Sequence, residues 1–246
     1  MPLGVDSYLA AGIAERVAQE VGAIVAPVGA PSALAARACS SHPPPVNYGY
    51  KSVPCMGGGN FVGTTGLDGS TLVATLRDVI RELVRHGVRH IVILDGHFEN
   101  QMFTIEAGML ATRDAVAAGV GDLQIVRLEY WDHVDPETTA KVFPDGYPGA
   151  QLEHAAVQET SLMLVFQPHL VDLEAIPGNG RHPVDRVAAF PAWTVEPPEK
   201  QPDWAPFSGV LSPANKASRE KGEWLLADHV AGVARAIRTE WPEMAK

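Results

Sequence analysis

The chain has 246 residues, a net charge of −10, 46% hydrophobic and 20% charged residues. A globular chain of this size buries a large core without disulfide staples, and Cys39 and Cys55 alone make neither a disulfide framework nor a four-cysteine zinc site. The acidic balance argues against nucleic-acid or anionic-membrane binding, which need a basic footprint, and the apolar runs fall short of the roughly 18 residues of a membrane span. The N-terminus MPLGVDSYLAAGIAERVAQE lacks the basic and then uninterrupted apolar segments of a secretory signal, so a cytoplasmic setting is expected.

Helical spacing of Leu9, Ile13 and Val17 predicts a helix from Tyr8 to Val21, stopped by Gly22. Ala23-Ile24-Val25-Ala26 before Pro27 reads as a buried strand. From Val28 to Ser70 nothing periodic appears; such a long loop is usually functional. Leu72, Val73, Leu76, Val79, Ile80, Leu83 and Val84 then line one face of a helix ending at Gly87. His90-Ile91-Val92-Ile93-Leu94 is a continuous apolar strand of the kind buried on both faces of a parallel sheet. A helix from Met102 to Ala118 and a strand from Gln124 to Leu128, extending toward Trp131, follow. Helices are also predicted over Leu152 to Phe166 and Ser212 to Glu240, with a proline-rich irregular stretch from Pro168 to Pro206 between them. This alternation predicts βαβ units in one α/β domain, residues 1–246, with a mainly parallel sheet.

Ligands of parallel α/β sheets bind at the carboxyl ends of the strands. Asp95–Asn100 occupies such a place, and His97 and Glu99, two residues apart, can point to the same side. An imidazole and a carboxylate so placed suit Zn²⁺ or Mn²⁺. A polar turn with an exposed histidine explains the same residues equally well. Glu153 and His154, at a predicted helix start, suit acid–base work, although a carboxylate there also complements the helix dipole, and on pattern alone that reading outweighs the catalytic one. The Gly57-Gly58-Gly59 run neither follows a strand nor opens a helix, so it is no dinucleotide fingerprint. His97-Phe98-Glu99 matches the H-x-E of zinc deaminases, but the downstream P-C-x-x-C is missing.

In order along the chain, YGYKS (Tyr48–Ser52), GGGN (Gly57–Asn60), GTTGLDGSTL (Gly63–Leu72), IRELVRHG (Ile80–Gly87), DGHFEN (Asp95–Asn100), LEHAAVQETSLML (Leu152–Leu164) and ASREKGE (Ala217–Glu223) resemble the creatininase family of metal-dependent amide hydrolases. The resemblance implies a single-domain three-layer α/β/α fold. It also implies a pair of divalent metal ions, Zn or Mn, with His97 and Glu99 each on one metal and Asp6 bridging them. His154 would shuttle a proton beside Glu153, and a hydroxide held between the metals would open a cyclic amide, creatinine or a similar small molecule. Homo-oligomers, hexamers in this family, are implied as well.

The substrate-binding positions carried over are Phe98, Gln151, Trp131 and Met56. Phe98 stands for the family's tyrosine, Gln151 for its aspartate and Met56 for a loop serine, while Ala150 replaces the tryptophan that packs creatinine. The family's Glu-x-His-Gly ligands would precede Met1, so a chain shortened at its N-terminus is expected. The segment Pro31–Val46 reads as an insertion. Two further expectations stand beside the first: a non-catalytic member that keeps fold and assembly, or a deformylase or other amidase of the wider family.

Overall fold

The computed structural model describes residues 4–25, 49–50, 66–150, 153–176, 210 and 212–245. These residues fall into two compact units. One takes 4–9, 133–150, 153–176, 210 and 212–229; the other takes 10–25, 49–50, 66–132 and 230–245.

The second unit carries the sheet. Helix α1 (Val5–Val21), which begins in the first unit, buries Leu9, Ile13, Val17 and Val21, four residues apart and therefore on one face. It ends where Gly22 turns to φ +71° and the Ala23 N–H returns to the Ala18 carbonyl at 2.9 Å. The strand expected over Ala23–Ala26 does not form at 23–25, and Ile24 is 91% exposed. The helix ending consumes Ala23, leaving too short a run to start a strand there; Ala26 lies outside the described residues.

Helix α2 (Gly69–Arg85), strand β1 (His90–Asp95), helix α3 (Gln101–Ala117) and strand β2 (Gln124–Glu129) follow in order. The two strands are parallel and in register from His90 opposite Gln124 to Asp95 opposite Glu129. The fold is therefore α/β, with α3 as the crossover a parallel pair requires. Ile80 of α2, Ile91 of β1, Ala111 and Ala115 of α3, and Leu123 form its core, with Ile93 and Ile125 against them. Gly108 of α3 packs over Ile125, whose side chain stands 3.8 Å from where a Cβ would be, an ordinary contact distance. Ile91 alone among the apolar residues of β1 is fully buried; Val92, Ile93 and Leu94 are half-buried, less than the apolar run predicts. β2 stops at Glu129 rather than running to Trp131, because Tyr130–His133 winds into a 3₁₀ turn.

The first unit holds helices α4 (Pro136–Val142) and α5 (Val157–Phe166) and the start of α6 (Arg219–Glu240), which continues into the second unit. α4 was not predicted, though Asp135 followed by Pro136 is a helix-start signal. α5 begins five residues later than the predicted Leu152, since Ala155 sits at φ +54°, outside helical geometry. α6 likewise starts at Arg219, not Ser212; turns precede it. Among the described residues no helix is long and apolar enough to cross a membrane.

Candidate active site

In the second unit the chain leaves β1 at Asp95, passes Gly96, and turns through a 3₁₀ segment at Phe98–Asn100 into α3. Asp95 organises this turn. Its Oδ1 accepts the His97 N–H at 3.2 Å, an Asx-type closure, and the Asn100 amide at 2.9 Å. Asn100 in turn accepts the Tyr50 N–H at 2.7 Å, and a side chain at Gly49 would collide with it. The Oδ2 of Asp95 accepts Thr104 Oγ1 at 3.2 Å and Arg127 Nη2 at 2.9 Å. Arg127 also reaches Glu129 Oε1 at 2.7 Å. Burial works against the Arg127 charge, but the bonds to Glu129 and Asp95 outweigh it and hold the guanidinium pKa above its ordinary value.

The turn brings His97 and Glu99 together. His97 Nδ1 stands 3.7 Å from Glu99 Oε2 and accepts the Glu99 N–H at 3.3 Å. The Glu99 side chain is 7% exposed. Phe98 between them is half open to solvent, its ring 5.2 Å from the His97 ring. Trp131 packs edge-on to Tyr130, centroids 4.9 Å apart, in the turn that ends β2. Imidazole nitrogen and carboxylate oxygen are donors that Zn²⁺ and Mn²⁺ accept; with Nδ1 engaged by the Glu99 N–H, Nε2 is the nitrogen His97 can offer. Among the described residues no group of three or more His, Cys, Asp or Glu side chains forms a metal cage.

The first unit holds the other predicted pair, in the loop before α5. Glu153 Oε2 accepts the Gln158 N–H at 2.9 Å and its Oε1 accepts Ser212 Oγ at 3.1 Å. It thus satisfies one of the free N–H groups at the helix start. Burial pushes its carboxyl up to about 7, against the lowering effect of the Gln158 N–H, Ser212 and Lys221. His154 follows, half-buried, and then Ala155 at φ +54°, whose N–H is held by Glu159 Oε2. Desolvation and the neighbouring carboxylates of Asp6 and Glu153 raise the Glu159 pKa. Asp6 lies half-buried in the first turn of α1.

The sequence reading thus named His97, Glu99, Glu153, His154, Asp6, Phe98 and Trp131 but missed the side chains that hold them. The signal for Asp95 was available, since Asp followed by Gly is an Asx-turn pattern. Arg127, Glu159 and Ser212 carried no local signal. Gln151 and Met56 lie outside the described residues, as do the Gly57–Gly59 run and Pro31–Val46.

A parallel sheet with an imidazole, carboxylates and a guanidinium gathered at its carboxyl end is the layout of an α/β enzyme. Residues 1–237 match the family model described as creatininase, creatinine amidohydrolase. The chain is 44% identical over 244 residues to the creatinine amidohydrolase of Pseudomonas putida, covering 98% of this chain and 84% of that one. A structure of creatininase with Mn superposes with a TM-score of 0.83 at 42% identity, covering 98% of this chain and 85% of the other. A creatininase mutant complexed with creatine gives 0.82 at 42% identity, over 98% and 86% of the two chains. The chain belongs to the creatininase family.

Proposed function

We propose that this protein is a metal-dependent amidohydrolase that opens a small cyclic amide, creatinine or a close analogue. The convergence of His97 and Glu99 at the carboxyl end of β1 is the observation that carries it, supported by 44% identity to a creatinine amidohydrolase over 98% of the chain. His97, Glu99 and Asp6 are read as ligands of two divalent ions, Mn or Zn. When bound, such ions make water a nucleophile near neutral pH and polarise the amide carbonyl.

The remaining chemistry falls to the protein. Opening the ring forms a bond from water oxygen to the carbonyl carbon and breaks the ring C–N bond; the water proton ends on the departing nitrogen. His154 takes and returns that proton, a task suited to an imidazole, which serves as base and then as acid. Glu159 holds the Ala155 N–H and Glu153 the Gln158 N–H, fixing the backbone that follows it. Phe98, Trp131, Gln151 and Met56 are read as substrate-binding positions.

The test is creatine formation from creatinine by the purified protein with added Mn²⁺ or Zn²⁺, run beside Glu99→Gln. Turnover that Glu99→Gln abolishes is the expected result. Full activity in Glu99→Gln overturns the ligand assignment, and no opening of any cyclic amide overturns the function.

A further inference from the structure

The in-register pairing of β1 and β2 sets Asp95 opposite Glu129, two carboxylates side by side and both buried. Like charges so placed repel, and burial removes the water that would screen them. Arg127 sits two residues before Glu129, on the same face of β2. Its Nη2 spans the pair, 2.9 Å from Asp95 Oδ2 and 2.7 Å from Glu129 Oε1, while its Nε donates to Thr104 Oγ1 at 3.2 Å. With Oδ2 engaged by Arg127 and Thr104, Oδ1 of Asp95 is left to hold the His97 N–H and the Asn100 amide.

We propose that Arg127 is a positioning residue for the His97–Glu99 pair, fixing through Asp95 the turn that carries them and keeping Asp95 and Glu129 from competing for a divalent cation. The inference rests on the reading of His97 and Glu99 as metal ligands. A guanidinium suits the task better than an ammonium, because Nη2 bridges the two carboxylates while Nε serves Thr104, and a single lysine nitrogen could not hold both places. Without it, Asp95 turns from holding the loop to being a hard oxygen donor beside the ligands. The pair then loses its fixed geometry and gains two rivals.

The experiment uses Zn²⁺ titrated against a chromogenic chelator and the visible spectrum of the Co²⁺ form, for the full chain and for Arg127→Met, Arg127→Lys, His97→Ala and Glu99→Gln. Arg127→Met weakens Zn²⁺ binding by roughly 10–100-fold, as loss of groups that orient ligands commonly does, and shifts the Co²⁺ bands. Arg127→Lys gives a smaller loss with the same shift, and serves alone if Arg127→Met does not fold. In Arg127→Met, a further Asp95→Asn change moves the bands back toward the parent spectrum by removing one rival donor. A lowered melting temperature with unchanged Zn²⁺ affinity and unchanged bands would reveal a purely structural role and overturn the inference. If His97→Ala and Glu99→Gln bind Zn²⁺ as the parent does, or the parent binds none, the metal reading fails and this inference with it.

Discussion

Gly222 lies against the backbone of Ser161: a Cβ at Gly222 would fall on the Ser161 carbonyl oxygen and 2.6 Å from its carbon. Helix α6 can therefore approach α5 at this point only because position 222 has no side chain. Backbone cannot swing aside as a rotamer can. Gly222→Ala is expected to cost about 1–3 kcal/mol, the usual range for an overpacked core, despite the better helix propensity of alanine. A thermal melt checks it, and an unchanged or raised midpoint would contradict the close approach.

The left-handed backbone at Ala155 makes a second prediction. An L-residue pays roughly 1–2 kcal/mol for this conformation, and a β-branched one is worse off. Ala155→Val should therefore lower stability by about 1 kcal/mol or more, while Ala155→Gly stays within about 0.5 kcal/mol because relief of strain is offset by added freedom of the unfolded chain. Since His154 precedes this residue, Ala155→Val should also lower kcat more than it raises KM. Denaturant melts and steady-state kinetics on the same three proteins decide both points.

His154→Gln removes the titratable imidazole while keeping a similar volume. If His154 moves the proton, kcat falls by about 10²–10⁴-fold, the range general acid–base catalysis supplies. Secondary structure by circular dichroism should stay unchanged. A loss of less than about fivefold would count against His154 as the residue that moves the proton.

The raised carboxyl of Glu153 ties stability to pH. Its folded value of about 7 exceeds the ordinary carboxylate value of 4.5, so between those values the folded protein holds a proton that the unfolded chain has released. Stability at this site accordingly falls as pH climbs through that window and levels off above it. Glu153→Gln, neutral at every pH, should flatten the melting temperature between those limits relative to the parent. Parallel slopes for the two proteins would refute the assignment.

Arg77 of α2 and Asp114 of α3 form a two-point bridge, Nε to Oδ2 at 2.6 Å and Nη2 to Oδ1 at 2.7 Å. The hydrogen bond from Arg77 holds the Asp114 carboxyl below its usual range, so its contribution is present above the ordinary carboxylate value and is lost as the pH falls through the lowered one. Both groups are partly open to solvent, which keeps the effect modest and sensitive to salt. Asp114→Asn should lower the melting temperature at low ionic strength, with the difference shrinking at 1 M salt.

The sequence disclosed those parts of the molecule in which neighbours along the chain are also neighbours in space. Leu9, Ile13 and Val17 announce the buried stripe of α1 by their spacing. The apolar run His90–Leu94 followed by Asp-Gly places the His97 turn at the carboxyl end of a strand, where it is found. What stayed hidden depends on distance in sequence. Arg127 meets Asp95 across 32 residues, a meeting set by strand register rather than by any local pattern. The late start of α5 was illegible because alanine seldom takes positive φ; a carboxylate four residues on, Glu159, holds it there. Short α4, seven residues long, offers too few turns for periodicity to register.

The trio of Asp95, Arg127 and Glu129 constrains how this protein can change over generations. Exchanging Arg127 alone strands two adjoining negative side chains, whereas exchanging either acid alone leaves the cation one remaining companion. The route by which a lineage could discard Arg127 therefore runs through the earlier loss of Glu129, the acid that does not hold the His97 turn. Substitutions at these three positions should be strongly non-additive, each tolerable or ruinous according to what the other two already are.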